Sequence, residues 1–326
     1  MDPLVSVIIP VWNGVRTLDR TLNSLVEQSS DIEVLAVDQA SSDGSADILD
    51  SFRTRLPLTI INAPQSTSWT MNTNIGLRAA AASIVAILHQ DDIWLPGRVE
   101  GILALASRFP RSDLFVHSAF LIDEHDRRIG SMAPPFGPRD RLVNTRDALR
   151  ILLVQNTVAL PSAAFRREAA LAVGGLSENL WYTADWDLWL KLAARGPVAW
   201  SPKQLAAFRV HTSSQTVSRS VDLQDFETQL AAPLEMHIGK LKPSEARRIL
   251  RYARASNMLN VYLAARYHSQ KLSVWPFLKA FSTLGPVGWF KFLTHTQILQ
   301  RTLPRIRLFW GSRLARPKAK TLRKTA

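Results

Sequence analysis

Through the first 110 residues, short apolar runs rich in β-branched side chains alternate with segments whose apolar residues recur every three or four positions. This alternation predicts an α/β fold with a mainly parallel sheet flanked by helices, since doubly buried strands read as continuous apolar runs and crossover helices show one apolar face. Val5-Ser6-Val7-Ile8-Ile9 is the first run, and Pro10 is expected to end it. Val15, Leu18, Leu22, Leu25 and Val26 follow at helical spacing. Residues 32–37 form the second run with Asp38 at its carboxyl end, and Ser41-Ser42-Asp43-Gly44-Ser45 offers N-caps for a helix carrying Ile48, Leu49 and Phe52. A third strand is expected at 58–61, a helix at 71–82, and a fourth strand at 84–88 running into His89-Gln90-Asp91-Asp92. Pro96 suits the first turn of a helix that reaches Arg108. Polar groups thus gather at the carboxyl ends of strands, where open α/β sheets bind ligands. From Leu114 to Phe165 the pattern is mixed, and a Pro-rich stretch at 132–138 reads as a mobile loop.

The net charge of +13 suggests a nucleic-acid binder until its distribution is considered. From Lys240 onward there are 19 Lys and Arg against one acid, Glu245, whereas residues 1–239 hold 21 basic and 26 acidic residues. The division predicts an acidic domain over 1–239 and a basic, aromatic helical region over 240–326. No cysteine is present, which excludes disulfides and thiolate metal sites and fits a reducing compartment. No basic n-region or cleavage site precedes the first strand, and the most apolar late segment, 272–290, is broken by Pro276, Lys279 and Pro286. Neither a secretory signal nor a membrane span is expected.

Four clusters could carry chemistry. Asp38 faces the crevice, where a carboxylate can accept from a base or ribose, or can simply close a turn. Asp91 and Asp92, adjacent carboxylates after an apolar strand, suit a hard cation holding a diphosphate, or a cap for the next helix. Leu188, Trp189 and Leu192 mark a buried helical face, which puts Asp185 near a helix N-terminus, where the dipole favours a carboxylate. Trp181, Tyr182 and Trp186 around it would wall a pocket for a sugar ring and raise a carboxylate toward the range of a general base. His211 closes a strand-like run, as a ligand or as a structural histidine.

The segments Pro10-Val11-Trp12-Asn13-Gly14, Ala36-Val37-Asp38, Asn72-Thr73-Asn74, His89-Gln90-Asp91-Asp92, Ala184-Asp185-Trp186-Asp187 and Arg209-Val210-His211 come in a characteristic order and spacing. Over roughly residues 4–215 the chain resembles the inverting family-2 glycosyltransferases of the GT-A fold. The resemblance implies transfer of a sugar from a nucleotide-diphosphate donor to an acceptor hydroxyl, with a divalent Mg²⁺ or Mn²⁺. It places Pro10, Val11, Trp12, Asn13, Asp38, Asn74, His89, Gln90 and Asp91 at the nucleotide sugar, with Asp38 on the base. Asp91 and His211 would hold the metal, Asp185 would be the catalytic base, and Asp92, Trp181, Trp186 and Asp187 would face the acceptor or support the site. Two positions depart from the family pattern: His89 replaces the first aspartate of the metal motif, and Ala184 replaces the glutamate of the acceptor motif. The Gln-x-x-Arg-Trp motif of processive synthases is absent, which implies one sugar added per encounter.

The implied acceptor is a glycan or a lipid-linked saccharide, in cell-surface polysaccharide or glycolipid synthesis. After Lys240, Trp275, Phe277, Phe281, Trp289, Phe290, Phe292, Phe309 and Trp310 are interleaved with Lys and Arg. That mixture suits helices lying on an anionic bilayer, or helices over 244–267 that simply pack on the catalytic domain, and it predicts a peripheral protein at the cytoplasmic face of the cell membrane. No nucleic-acid recognition motif accompanies the charge, so no nucleic-acid partner is expected. A nucleotidyltransferase would need a Gly-rich, Arg-containing loop after the first strand, which Pro10–Gly14 does not supply. A degenerate transferase that only binds a nucleotide or a partner is the non-enzymatic alternative.

Overall fold

The computed structural model describes residues 3–28, 31–212 and 214–304. Phe309, Trp310 and the most basic stretch of the chain lie outside the described residues. Strands β1 (Val5–Val11), β2 (Ile32–Asp38), β3 (Leu58–Asn62) and β4 (Ile84–Ile87) alternate with helices α1 (Leu18–Val26), α2 (Ser45–Ser51) and α3 (Trp69–Ala79). The four strands are parallel in the order β3-β2-β1-β4. Chain order reverses between β1 and β4, so a crevice opens at their carboxyl ends.

Pro10 lies inside β1 rather than ending it. The Ile8 carbonyl accepts from Leu88 beyond β4, and Pro10 has the same parity as Ile8. Because β4 ends at Ile87, the N–H that proline lacks falls where the ladder has no further strand to bond. Val15 sits in the turn before α1 and is exposed instead of joining its apolar face.

The chain continues through β5 (Ile93–Trp94), α4 (Arg98–Arg108), β6 (Leu114–Ile122), β7 (Arg128–Met132), β8 (Arg141–Val143) and α5 (Thr145–Leu152). β9 (Ala163–Arg166), α6 (Arg167–Ala172), α7 (Ala184–Arg195) and β10 (Val198–Arg209) follow. These strands extend the sheet as β4-β9-β6-β10-β5, with β7 on β6 and β8 on β10. β9 is antiparallel to both of its neighbours, so the sheet is mixed, parallel throughout β1 to β4 and again between β6 and β10. The segment expected to be a mobile loop is tied down: Phe136 is buried edge-on against Trp200, 5.9 Å between rings, and Trp200 Nε1 donates to the Gly137 carbonyl at 2.8 Å.

Alternate residues of β1 enter two cores, as the strand period of two requires. Val7 and Ile9 pack with α1, α2 and α4, whereas Ile8 packs with α3, α5, α6 and α7. That second core continues into α9 (Leu223–His237), α10 (Pro243–Tyr267) and α12 (Gly285–Thr296) through Leu230, Leu234, Ile249, Tyr252 and Phe292. Two short helices, α8 (Gln215–Arg219) and α11 (Trp275–Ser282), stand between these elements, and residues 298–304 are helical again.

Among the described residues, the chain on both sides of residues 239 and 240 contributes to this second core. Buried Glu245 on α10 pairs with Arg146 at 3.0 Å and with Arg150 on α5. Ser256 and Asn260 both donate to Gln155 Oε1, at 2.7 and 3.1 Å. Removing one partner of a fully buried ion pair costs about 3 to 5 kcal/mol. Arg146 and Arg150 keep contact with solvent, so Glu245→Ala should cost less, about 2 kcal/mol, measured as a shift of the urea midpoint.

Candidate functional site

The loops after β1 and β4 meet across the crevice because Gln90 forms a two-way amide contact with the Trp12 backbone. Trp12 N–H donates to Gln90 Oε1 and Gln90 Nε2 donates to the Trp12 carbonyl, both at 2.9 Å. A Cβ at Gly14 would lie 2.5 Å from Gln90 Oε1, so only glycine allows this approach. Asn13, at φ +48°, occupies the left-handed region that asparagine tolerates, and Ala40 after β2 is also left-handed at φ +54°. Asn13 Oδ1 accepts from Ser42 N–H and Asn13 N–H donates to Ser41 Oγ, which ties the β1 and β2 loops together.

Pro10, Val11, Trp12, Asn13, His89, Gln90, Asp91, Trp181, Asp185, Trp186 and His211 all line one cavity of about 780 Å³. The structure thus gathers residues up to 200 positions apart in sequence. Asp38, Asn74, Asp92 and Asp187 stand outside that wall. Asp38 is buried and accepts from the Ser41 N–H and hydroxyl, holding the β2 turn, and Gln39 lines the cavity beside it. Asn74 latches α3 to the chain after α6, with Nδ2 donating to the Leu176 carbonyl and Oδ1 accepting from its N–H, both at 2.9 Å. From α3 it is Trp69 and Asn72 that reach the cavity. Asp187 is fully buried and accepts from Ser177, His237 and Lys191, which makes it a scaffold ion pair under α7.

His89, Asp91 and Asp92 bring one potential ligand atom each within 4.8 Å of one another. His89 Nε2 and Asp92 Oδ2 are buried with no hydrogen-bond partner, while Asp91 Oδ2 lies 2.9 Å from His211 Nε2. Burial lowers the His89 pKa against the pull of Asp91, so the ring is neutral, the form that binds a metal. Burial alone pushes the Asp91 carboxyl up, but the hydrogen bond with His211 and the neighbouring imidazoles outweigh it and hold the group below the ordinary aspartate value. Burial and the Asp91 charge push Asp92 well above it. Orphaned donors of this kind in a mixed imidazole and carboxylate set fit a divalent cation, and fit Mn²⁺ better than Mg²⁺, which takes oxygen ligands. Buried Arg209 fixes the loop from behind, with its N–H on Asp92 Oδ1 at 2.9 Å and Nε on the Asp91 carbonyl at 2.7 Å.

Across the cavity, α7 begins at Ala184 and presents Asp185. Ala184 packs wholly into the core, so its side chain does not face a ligand. Asp185 Oδ1 accepts from the Trp186 N–H at 2.7 Å and Oδ2 accepts from Asn156 Nδ2 at 2.9 Å. Part of its surface stays open to the cavity, yet its depth among protein atoms pushes the pKa up to about 6, against those two hydrogen bonds. Asn156 had no place in the sequence reading. Its Oδ1 accepts from the Val158 N–H at 3.2 Å, which orients the amide so that Nδ2 points to Asp185. The signal was present as a polar pair, Gln155-Asn156, embedded between apolar runs. Asn156→Ala removes a bond that favours the carboxylate, so the Asp185 pKa is expected to rise further, read as an upward shift in the acid limb of a pH–rate profile.

The far wall of the cavity comes from the C-terminal helices, with Asn260, Leu263 and Tyr267 of α10 and Arg301 beyond α12. Trp181 carries the Arg219 guanidinium over its ring at 4.3 Å and donates from Nε1 to Asp225 at 2.7 Å. Trp69 stands edge-on to His89 at 4.9 Å and donates to the Trp181 carbonyl. These contacts make the aromatic walls rigid.

The family model described as Glycosyl transferase family 2 matches residues 6–173. An uncharacterized glycosyltransferase of Nostoc sp. is 30% identical over 242 residues, spanning 71% of this chain and 72% of its own. Among solved structures, S. aureus TarS 1-349 in complex with UDP-GlcNAc superposes with a TM-score of 0.68 at 18% identity, over 95% of this chain and 88% of that one. The mannosyltransferase PcManGT from Pyrobaculum calidifontis, in complex with GDP-Man and Mn²⁺, gives 0.58 at 19% identity with the same two coverages.

Proposed function

We propose that this chain, which belongs to glycosyl transferase family 2 and is a glycosyltransferase, performs metal-dependent, inverting and non-processive transfer of one sugar from a nucleotide-diphosphate donor. One observation carries the reading: His89 and Asp91, with Asp92 buried beside them, and the raised Asp185 carboxylate lie across a single aromatic-walled cavity from one another. The nucleotide lies against Pro10 to Asn13 and Gln90, and the acceptor enters between Trp181, Trp186 and the α10 wall. Asp185, ionised above about pH 6, accepts the proton of the acceptor hydroxyl while that oxygen bonds to the anomeric carbon. The bond from that carbon to the diphosphate oxygen breaks, and the electron pair leaves with the nucleoside diphosphate. His89, Asp91, Asp92 and His211 are the residues that would hold Mn²⁺ or Mg²⁺, which when bound neutralises charge on the leaving group.

Attack from the face opposite the leaving group inverts the anomeric centre, so NMR of the first-formed product from an α-linked donor should show a β linkage. An α product would overturn the single-displacement reading. The acceptor is a glycan or lipid-linked saccharide of cell-surface polysaccharide or glycolipid synthesis, presented at an anionic membrane surface. Support for the membrane comes from large apolar side chains exposed on α11 and α12, including Trp275, Val287 and Phe290. No helix among the described residues is long and apolar enough to cross a bilayer, so the contact would be peripheral.

A further inference from the structure

A second pocket, of about 290 Å³, opens away from the large cavity where α5, α10 and α12 meet the 135–143 segment. Arg141, Arg150, Arg248, Lys291 and His295 line it, with Asp147 as the single carboxylate. Asp147 and Glu245 are both engaged by Arg150. Arg141 also acts by its charge on Asp147, which leaves Arg248 and Lys291 beside it with no carboxylate of their own among the pocket's lining residues. His295 Nδ1 is buried without a hydrogen-bond partner, and its pKa is lowered by burial and by the charges of Lys291 and Arg248. Cations that outnumber their counter-charges repel one another, and a bound anion relieves that repulsion.

The neighbouring surface indicates where such an anion comes from. At 100° per residue, Lys291 lies on α12 between the buried Gly288 and Phe292 and the outward Val287 and Phe290, which are 70% and 69% exposed. Trp275 on α11 is exposed to the same degree, 69%. An aromatic and aliphatic face with cations along its flank matches the depth profile of a bilayer interface, apolar below and phosphate above. Eight further Lys and Arg follow residue 304 in the sequence with no acid among them, which adds charge complementarity to an anionic surface.

We propose that this pocket binds the phosphate group of an anionic phospholipid while Trp275, Val287 and Phe290 sit in the interfacial layer of the same bilayer. The phosphate site stands on the pocket itself, and only the source of the phosphate rests on the membrane reading above. The test uses the full chain in two assays: flotation with phosphatidylcholine vesicles with and without phosphatidylglycerol, and thermal stabilisation by inorganic phosphate against chloride at equal ionic strength. Arg248→Gln/Lys291→Gln should weaken binding to phosphatidylglycerol vesicles about tenfold or more and remove the phosphate response, with nucleotide binding unchanged. Val287→Ser/Phe290→Ser should weaken vesicle binding and keep the phosphate response.

Wild-type behaviour of the Gln pair in both assays overturns the site. Loss of the phosphate response with full vesicle binding overturns the lipid source and identifies a site for free phosphate. Failure of the wild type to bind any vesicle overturns the membrane reading, and the lipid source with it, whatever the phosphate response.

Discussion

Asp185→Asn is expected to lower turnover about a thousandfold, the scale of losing a positioned general base, while nucleotide affinity stays within about twofold. The substitution keeps the volume and a carbonyl oxygen for the Trp186 N–H, so the helix start is preserved and the loss falls on chemistry. In the wild type kcat/KM should rise with pH and level off above about 6, because the carboxylate must be ionised to take the proton and its pKa is pushed up to about 6. The variant's residual activity should lack that limb. Stability supplies an independent sign. The folded-state pKa lies above the ordinary value of 3.8, so the native state binds the proton more tightly and this group's contribution to stability falls as pH rises from about 4 to about 6. Asp185→Asn puts an Nδ2 opposite the Asn156 Nδ2 and loses that hydrogen bond, but its stability should lack this fall between about pH 4 and about pH 6, so the melting-temperature gap to the wild type should narrow as pH rises through the window. Normal turnover in the variant would remove Asp185 from the base role.

Asp91→Ala should abolish the metal-dependent part of nucleotide binding, a loss of at least about a hundredfold given that even supporting residues of a metal site are worth ten- to a hundredfold. Calorimetry with UDP, GDP, dTDP and CMP, each with Mn²⁺, Mg²⁺ or chelator, measures it directly. One nucleotide should bind tightly with Mn²⁺, more weakly with Mg²⁺, and little better than in chelator once Asp91 is gone. Well-folded protein that binds none of the four would sink the donor site and favour a degenerate, partner-binding role. Equal metal dependence in wild type and variant would move the ion elsewhere.

Much of this site was legible because its chemistry is local. Asp91 follows an apolar strand and Asp185 starts an amphipathic helix, and each position follows from strand and helix periodicity plus the preference for carboxylates at helix N-termini. Asn74 shows the limit of such reasoning. It sits in the expected helix, two positions from Asn72, but helical rotation turns Asn72 to the cavity and Asn74 to the Leu176 backbone. Asp187 differs from Asp185 in the same way, two residues along α7 and facing the scaffold. Asn156 carried too weak a signal, because its role depends on a contact with a residue 29 positions away.

The sequence by itself determined the alternation of strands and helices through β4, the gathering of polar groups at the carboxyl ends of those strands, and the acid groups among them. Those features follow from side-chain period, turn chemistry and backbone preference, which act over a few residues. Only the tertiary structure decided that β9 enters the sheet antiparallel and that α10 and Arg301 wall the cavity. It also decided that the cations of α5, α10 and α12 converge on one pocket. These outcomes depend on which apolar faces find one another and where charges come to rest after burial. Pairing across a hundred residues is set by packing, which no local pattern along the chain encodes.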